Sequence, residues 1–532
     1  MKLRITLLTA ATLTAFSFAA HAAEKGTIMI MVNSLDNPYY ASEAKGASEK
    51  AQALGYKTTV LSHGEDVKKQ NELIDTAIGK KVQGIILDNA DSTASVAAVE
   101  KAKKAGIPVV LINREIPVDD VALEQITHNN FQAGSEVANV FVEKMAEKGK
   151  YAELTCILAD NNCVTRSKSF HQVIDQYPDM VSVAKQDAKG TLIDGKRIMD
   201  SILQAHPDVK GVICGNGPVA LGAIAALKAA NRSDVIVVGI DGSNDERDAV
   251  KAGTLQATVM LQAQAIAAQG VTDLDNYLQK GEKPAKQRVM FRGILITQDT
   301  PIKSRISTLS PEFGWLRPCG GAEESIMFKK TCLTLAVLAL GGCRIVSQQE
   351  LADLKSPPNP HMANMDKTWQ QSIVPQVVTK ARPAAELMSA LKAAKDIDSA
   401  CKTLGYRAQD ENPCIFYVKV SGTVSKLDTA SRSGKMTLTD ASVGKVTVQI
   451  GPTLRGTQLR DGYSGASYQD FNDQVLFGEY SKNINSQAVK MIQTANVKTG
   501  DSVEVYGVFS AWDIPQTLPE ITPAKIIHAG GQ

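Results

Sequence analysis

From Thr27 onward, short apolar runs alternate with stretches whose apolar positions recur every three or four residues. The runs Thr27–Val32, Lys57–Leu61, Gly84–Leu87, Pro108–Ile112, Glu153–Leu158, Gly211–Cys214 and Val235–Ile240 are rich in valine, isoleucine and leucine. That is the pattern of strands covered on both faces. The stretches Tyr40–Leu54, Val67–Ile78, Ala94–Ala105, Gly134–Lys148 and Ile193–Gln204 predict amphipathic helices, several of them followed by glycine. Strand–helix alternation predicts an α/β protein with parallel sheets and helices on both faces. There are more units than one open sheet usually needs, and Val82–Leu87 is echoed by Val209–Cys214. Two lobes follow, with a ligand cleft where the carboxyl ends of their strands meet.

The period changes in the second half. A polar tether, Ser347–Asp366, contains Pro357-Pro358-Asn359-Pro360. Trp369–Gly405 reads as helical, through Ala384–Lys395. From Ile415 the period is two, with Phe416, Val418 and Val420 on one face. Lys435–Thr439, Lys445–Ile450, Ser502–Phe509 and Ala524–His528 continue as strands, with one helix at Ser486–Thr494. Short strands with glycine turns predict a small, mostly-β barrel of the OB type. No basic aromatic face accompanies them. The densest polar loop is Gly451–Asp461.

Two segments read as export signals. Lys2 and Arg4 precede the uncharged run Ile5–Ala20 and the small-x-small site Ala20-His21-Ala22, predicting a signal peptide over residues 1–22. Met327-Phe328-Lys329-Lys330, the run Thr331–Leu340 and then Gly341-Gly342-Cys343 resemble a bacterial lipoprotein signal over 327–342, which implies a lipid on Cys343. The run is shorter than the ~20 residues a membrane span needs. Residues 301–326, with Pro301, Pro311, Pro318 and a lone Cys319, read as a linker or translated spacer between two reading frames. The expected organisation is therefore 1–22 signal, 23–300 two-lobed module, 301–326 spacer and 327–342 second signal. A tether and helical segment over 343–414 and an OB-like barrel over 415–532 complete it.

Composition narrows the chemistry. The chain has 532 residues, 58 basic against 56 acidic, and a net charge of +2, which removes bulk electrostatic binding of nucleic acid. None of the eight cysteines forms a Cys-x-x-Cys pair and the seven histidines are scattered, so no metal and no cofactor is expected. An oxidising compartment permits disulfides, and Cys156–Cys163 and Cys401–Cys414 are the expected bridges. The predicted strands end in polar groups: Asn33–Tyr40, Asn113-Arg114-Glu115, Asn161–Arg166, Gly215-Asn216-Gly217 and Asp241-Gly242. Amides, carboxylates, guanidinium groups and rings together suit a neutral polyhydroxyl ligand. Gly215-Asn216-Gly217-Pro218-Val219-Ala220 also fits a dinucleotide fingerprint, but it is not in the first strand–helix unit and lacks a ribose-binding acid. No Gly-x-Ser-x-Gly elbow supports a catalytic triad.

Asn37-Pro38-Tyr39-Tyr40, Gly106-Ile107-Pro108, Ala205-His206-Pro207-Asp208-Val209, Ala220-Leu221-Gly222-Ala223 and Val237-Val238-Gly239-Ile240-Asp241-Gly242 carry a family resemblance. Residues 24–300 resemble the ribose type of periplasmic sugar-binding protein that serves ABC transporters. The resemblance implies two Rossmann-like lobes joined by three crossovers, near His128–Asn129, Leu261–Gln262 and Met290, and hinge closure on one sugar. It implies ligand contacts at Asn37, Tyr39, Tyr40, Asn113, Arg114, Arg166, Asn216 and Asp241. The family's late glutamine falls on Leu261, with Gln262 adjacent. Asn113 stands for an aspartate, Gly217 for an acidic residue, Gly190 for an aromatic, and Tyr39 and Tyr40 for two phenylalanines. A neutral pentose-like sugar or a polyol is implied, with a transporter permease and a chemoreceptor as partners. Contact with a membrane would run only through the lipid on Cys343. The second half resembles uncharacterised periplasmic lipoproteins encoded beside such transporters. The expected function is non-enzymatic binding, with a carbohydrate-active enzyme or a sugar-sensing receptor's ligand protein as the alternative.

Overall fold

The computed structural model describes residues 25–299, 359–408 and 412–529. Both predicted signals, the 301–326 spacer, and Cys319, Cys332 and Cys343 lie outside the described residues.

Two six-stranded sheets form the first half. In chain order, the first lobe contributes Thr27–Val32, Lys57–Ser62, Gly84–Leu87, Val109–Asn113, Glu124–His128 and Arg288–Phe291. The second contributes Gly149–Thr155, Met180–Asp187, Gly211–Cys214, Ile236–Asp241, Ala257–Met260 and Ile294–Ile296. All pairings are parallel except that of Ala257–Met260 with Ile294–Ile296. The central strands are near-continuously apolar because helices bury both of their faces.

Five strands were not expected: Glu124–His128, Met180–Asp187, Ala257–Met260, Arg288–Phe291 and Ile294–Ile296. Glu124–His128 shows why. Its side chains are buried yet mostly polar, and Gln125 is satisfied by the Ile116 N–H and the Val118 carbonyl rather than by apolar packing. Tertiary context supplies what the apolar pattern lacks. The expected Glu153–Leu158 strand runs over Gly149–Thr155, in register with Met180–Asp187.

The chain crosses between lobes three times: at His128–Asn130, at Met260–Ala263 and at Phe291–Ile294. The third lies where it was expected, near Met290, which is itself within the strand and packs into the second half's apolar cluster beside Trp369, Tyr468 and Phe477.

The second half is a barrel. Cys414–Asp428, Lys435–Asp440, Gly444–Gln449, Ser502–Ala511 and Thr522–His528 pair in the order third, second, first, fourth, fifth. A parallel bridge from Val448 to Ile521 joins the third strand to the fifth. A long helix, Gln474–Ala495, lies between the third strand and the fourth, after the short helix Gln458–Asp461 and the 3-10 turn Tyr468–Asp470. It begins well before the expected Ser486. Its first turns carry Gly478, Ser481, Asn483 and Asn485, all weak helix formers. They are helical because Asp473 caps the Val475 and Leu476 N–H groups and because Phe477, Tyr480 and Ile484 are buried. Both expected disulfides are present, with Cα–Cα separations of 5.5 Å and 5.7 Å. Among the described residues, no helix is long and apolar enough to cross a membrane.

Candidate functional site

The carboxyl ends of both parallel sheets face one cleft of about 1530 Å³. All nine sequence-derived candidates line it: Asn37, Tyr39, Tyr40, Asn113 and Arg114 with Gln262 from the first lobe and its crossover, and Arg166, Asn216 and Asp241 from the second. Local structure fixes several of them. Asn37 and Asn216 cap the helices Pro38–Ala53 and Gly217–Ala229, each accepting a backbone N–H two or three residues on. Asn216 also donates to the Gly190 carbonyl at 3.1 Å. Asn113 sits at φ +63° and Asp241 at φ +135°, backbone regions that residues other than glycine rarely adopt. The chain turns sharply at Asp241-Gly242, where a Cβ on Gly242 would overlap Met260.

The guanidinium groups are already balanced from within. Arg114 donates to Glu65 at 2.9 Å, pairs with Asp160 of the other lobe at 3.0 Å, and donates to the Tyr40 hydroxyl at 3.0 Å. Arg166 donates to Asn130 Oδ1 and to the Gly215 carbonyl, both at 2.8 Å, and pairs with Asp241 at 3.4 Å. Burial raises the Asp241 carboxyl to about 7, against the opposing pull of Arg166. Asp88, below Asn113, is likewise raised to about 7 by burial, with Arg114 opposing. Burial, and then the positive charge of Arg166, pushes His128 down to about 3, so its ring is neutral. Its Nε2 meets the Tyr39 hydroxyl at 2.8 Å. Tyr39 and Tyr40 stand edge to face with centroids 5.4 Å apart.

Sequence reasoning missed Glu65, Asp88, Asp160 and Asn130. Asp88-Asn89 follows the third strand directly, so the strand-end rule applied to the other strands would have found it. Asn162 donates to Asn113 Oδ1 at 3.1 Å and so joins the lobes at the deep end of the cleft. Asn130 carried no such signal, because it follows a strand whose pattern was itself hidden. Among the described residues, no group of three or more histidine, cysteine, aspartate or glutamate side chains is placed to hold a metal ion.

Two facing α/β lobes, three crossovers and a polar cleft at the strand ends have the architecture of a hinged binding protein. The chain belongs to the periplasmic binding protein domain family, whose match covers residues 28–283, and residues 333–527 match the family described as predicted periplasmic lipoprotein. A D-apiose import binding protein of Paraburkholderia graminis is 49% identical over 284 residues, spanning 53% of this chain and 91% of that protein. Another of that name, from Actinobacillus succinogenes, is 46% identical over 304 residues, spanning 56% and 98%. The ribose import binding protein of Escherichia coli is 34% identical over 283 residues, spanning 53% and 94%. These relatives are binding proteins of import systems.

Proposed function

We propose that the cleft binds one neutral five-carbon sugar, D-apiose or a close analogue, and delivers it to an ABC transporter permease without chemical change. The observation that carries this reading is the internal balance of charge. Arg114 and Arg166 are met by Glu65, Asp160 and Asp241, which leaves amide, hydroxyl and ring surface for the guest and disfavours an anionic one. The strained backbone at Asn113 and Asp241 fits a site held in shape before the ligand arrives. The identity to two D-apiose import proteins supports the choice of sugar. Titration calorimetry of the full chain against D-apiose, D-ribose and ribose 5-phosphate tests it. One-to-one binding of D-apiose, weaker ribose binding, no response to the phosphate and recovery of unaltered sugar are expected. Preference for the phosphate, or turnover, refutes the reading.

The second signal-like segment extends the proposal to location. Where Met327 starts a product of its own, Cys343 becomes its lipidated first residue and tethers the second half to a membrane. Cys343→Ser then releases that half to the soluble periplasmic fraction, and unchanged membrane association refutes the anchor.

A further inference from the structure

The second half docks on the hinge, on the side away from the cleft. Its helix Gln474–Ala495 packs against the second-lobe helices Asn130–Lys144 and Asn161–Ile174. Gln474 is buried at the first crossover. Its Nε2 donates to the His128 carbonyl of the first lobe at 2.9 Å, and its Oε1 accepts from the Asn130 N–H of the second at 2.7 Å. One side chain thus takes up hydrogen bonds on both sides of a pivot. The same two residues reach the cleft: His128 holds the Tyr39 hydroxyl, and Asn130 Oδ1 accepts from Arg166. At the third crossover Arg292 is shared between Glu136 of the second lobe, at 2.6 Å, and Asp461 of the barrel, at 3.0 Å.

Further out, the barrel holds each lobe separately. Tyr468 donates to Glu115 of the first lobe at 3.1 Å. Arg455 pairs with Glu143 of the second at 2.7 Å. Closing the cleft rotates the lobes about the crossovers, and a rigid barrel cannot follow both. With the barrel docked the cleft has a volume of about 1530 Å³, above the ~300–1,000 Å³ of ordinary small-ligand pockets, and Leu192 and Ile193 on its lining are exposed. Arg114–Asp160 and Asn162–Asn113 already bridge the lobes at the deep end, so the room left to close lies toward the mouth.

We propose that the lipoprotein-like domain is a hinge clamp: docked, it holds the cleft open and weakly binding, so that sugar-driven closure and docking oppose each other. The coupling rests on the sugar-binding reading; the docking itself does not. By linkage, whatever factor docking costs the sugar, the sugar costs docking.

The test uses the full chain with a protease site inserted within residues 301–326. After cutting, the two halves of the parent protein co-elute on gel filtration. Gly478→Val releases them, because a Cβ at Gly478 overlaps the Phe131 ring, and Gln474→Ala weakens co-elution without that clash. Melting curves confirm that both variants fold. By calorimetry, uncut Gly478→Val binds D-apiose at least about five-fold tighter than the parent, the lower end of usual coupling. Parent halves that separate overturn the docking. Equal or weaker sugar binding by both variants overturns the clamp. If D-apiose binds neither protein, the sugar reading fails and the coupling with it, while co-elution still decides the docking.

Discussion

The two sides of the hinge use the same chemistry to opposite ends. On the cleft side, Asn113, Asn216, Tyr39 and Arg166 line a water-accessible space with donors and acceptors facing a guest. On the far side, Gln474 and the Arg292–Asp461–Arg460 ladder fill the equivalent positions from the chain itself. A polar surface between two moving lobes must be satisfied in every state it visits, because an unpaired buried polar group costs about 1–3 kcal/mol. The cleft side meets that need largely within the lobes and turns its remaining capacity toward a guest, whereas the far side meets it with a docked domain.

The comparison breaks most visibly at Asp461. Burial works against its charge, yet Arg460 and Arg292 hold its carboxyl below the usual range. Asp461→Ala leaves Arg460 without its ion-pair partner in a buried setting and should cost about 3 kcal/mol of stability, the low end for breaking such pairs, read as a lowered denaturation midpoint. A loss below about 1 kcal/mol would mean the ladder is no tighter than a surface pair.

On the other side, Arg166→Ala should weaken D-apiose binding roughly ten- to a hundred-fold, the ~1.5–3 kcal/mol of a hydrogen bond to a charged group. Parent-like affinity in calorimetry would remove Arg166 from the site.

The pH dependence sharpens the contrast further. The folded pKa of Asp241, about 7, lies above the ordinary value of 3.8. Its contribution to stability is therefore fully present below about pH 4 and is lost as pH rises through 7. Asp241→Asn should flatten part of the fall in melting temperature across that window, and Asp88 should account for more of it. An unchanged slope would show that Asp241 stays ionised throughout. Smallest is the rim. Glu143→Ala removes the exposed pair with Arg455 and should change stability by less than about 1 kcal/mol, with sugar affinity unchanged.

The parts legible in sequence are those whose neighbours are close in the chain. Central strands such as Gly84–Leu87 advertise burial through their own apolar residues, and cleft residues lie just after such strands. The hinge did not show itself in that way. Glu124–His128 is buried without being apolar, and the first turns of Gln474–Ala495 are helical in spite of glycine and asparagine. Asn130 and Gln474 are joined across 344 positions by one hydrogen bond, and no local pattern encodes that. The barrel was readable as an alternating period, but the surface it presents to the lobes was not.

Wherever lobes and barrel remain on one polypeptide, their association is intramolecular. Its effective concentration is set by the connection and not by how much protein the cell makes. An interface too weak to hold two free molecules together can then stay occupied. The sugar concentration at which the cleft closes becomes a property of each molecule, unchanged whether expression is scarce or abundant. Cutting the connection would turn that fixed threshold into one that drifts with dilution.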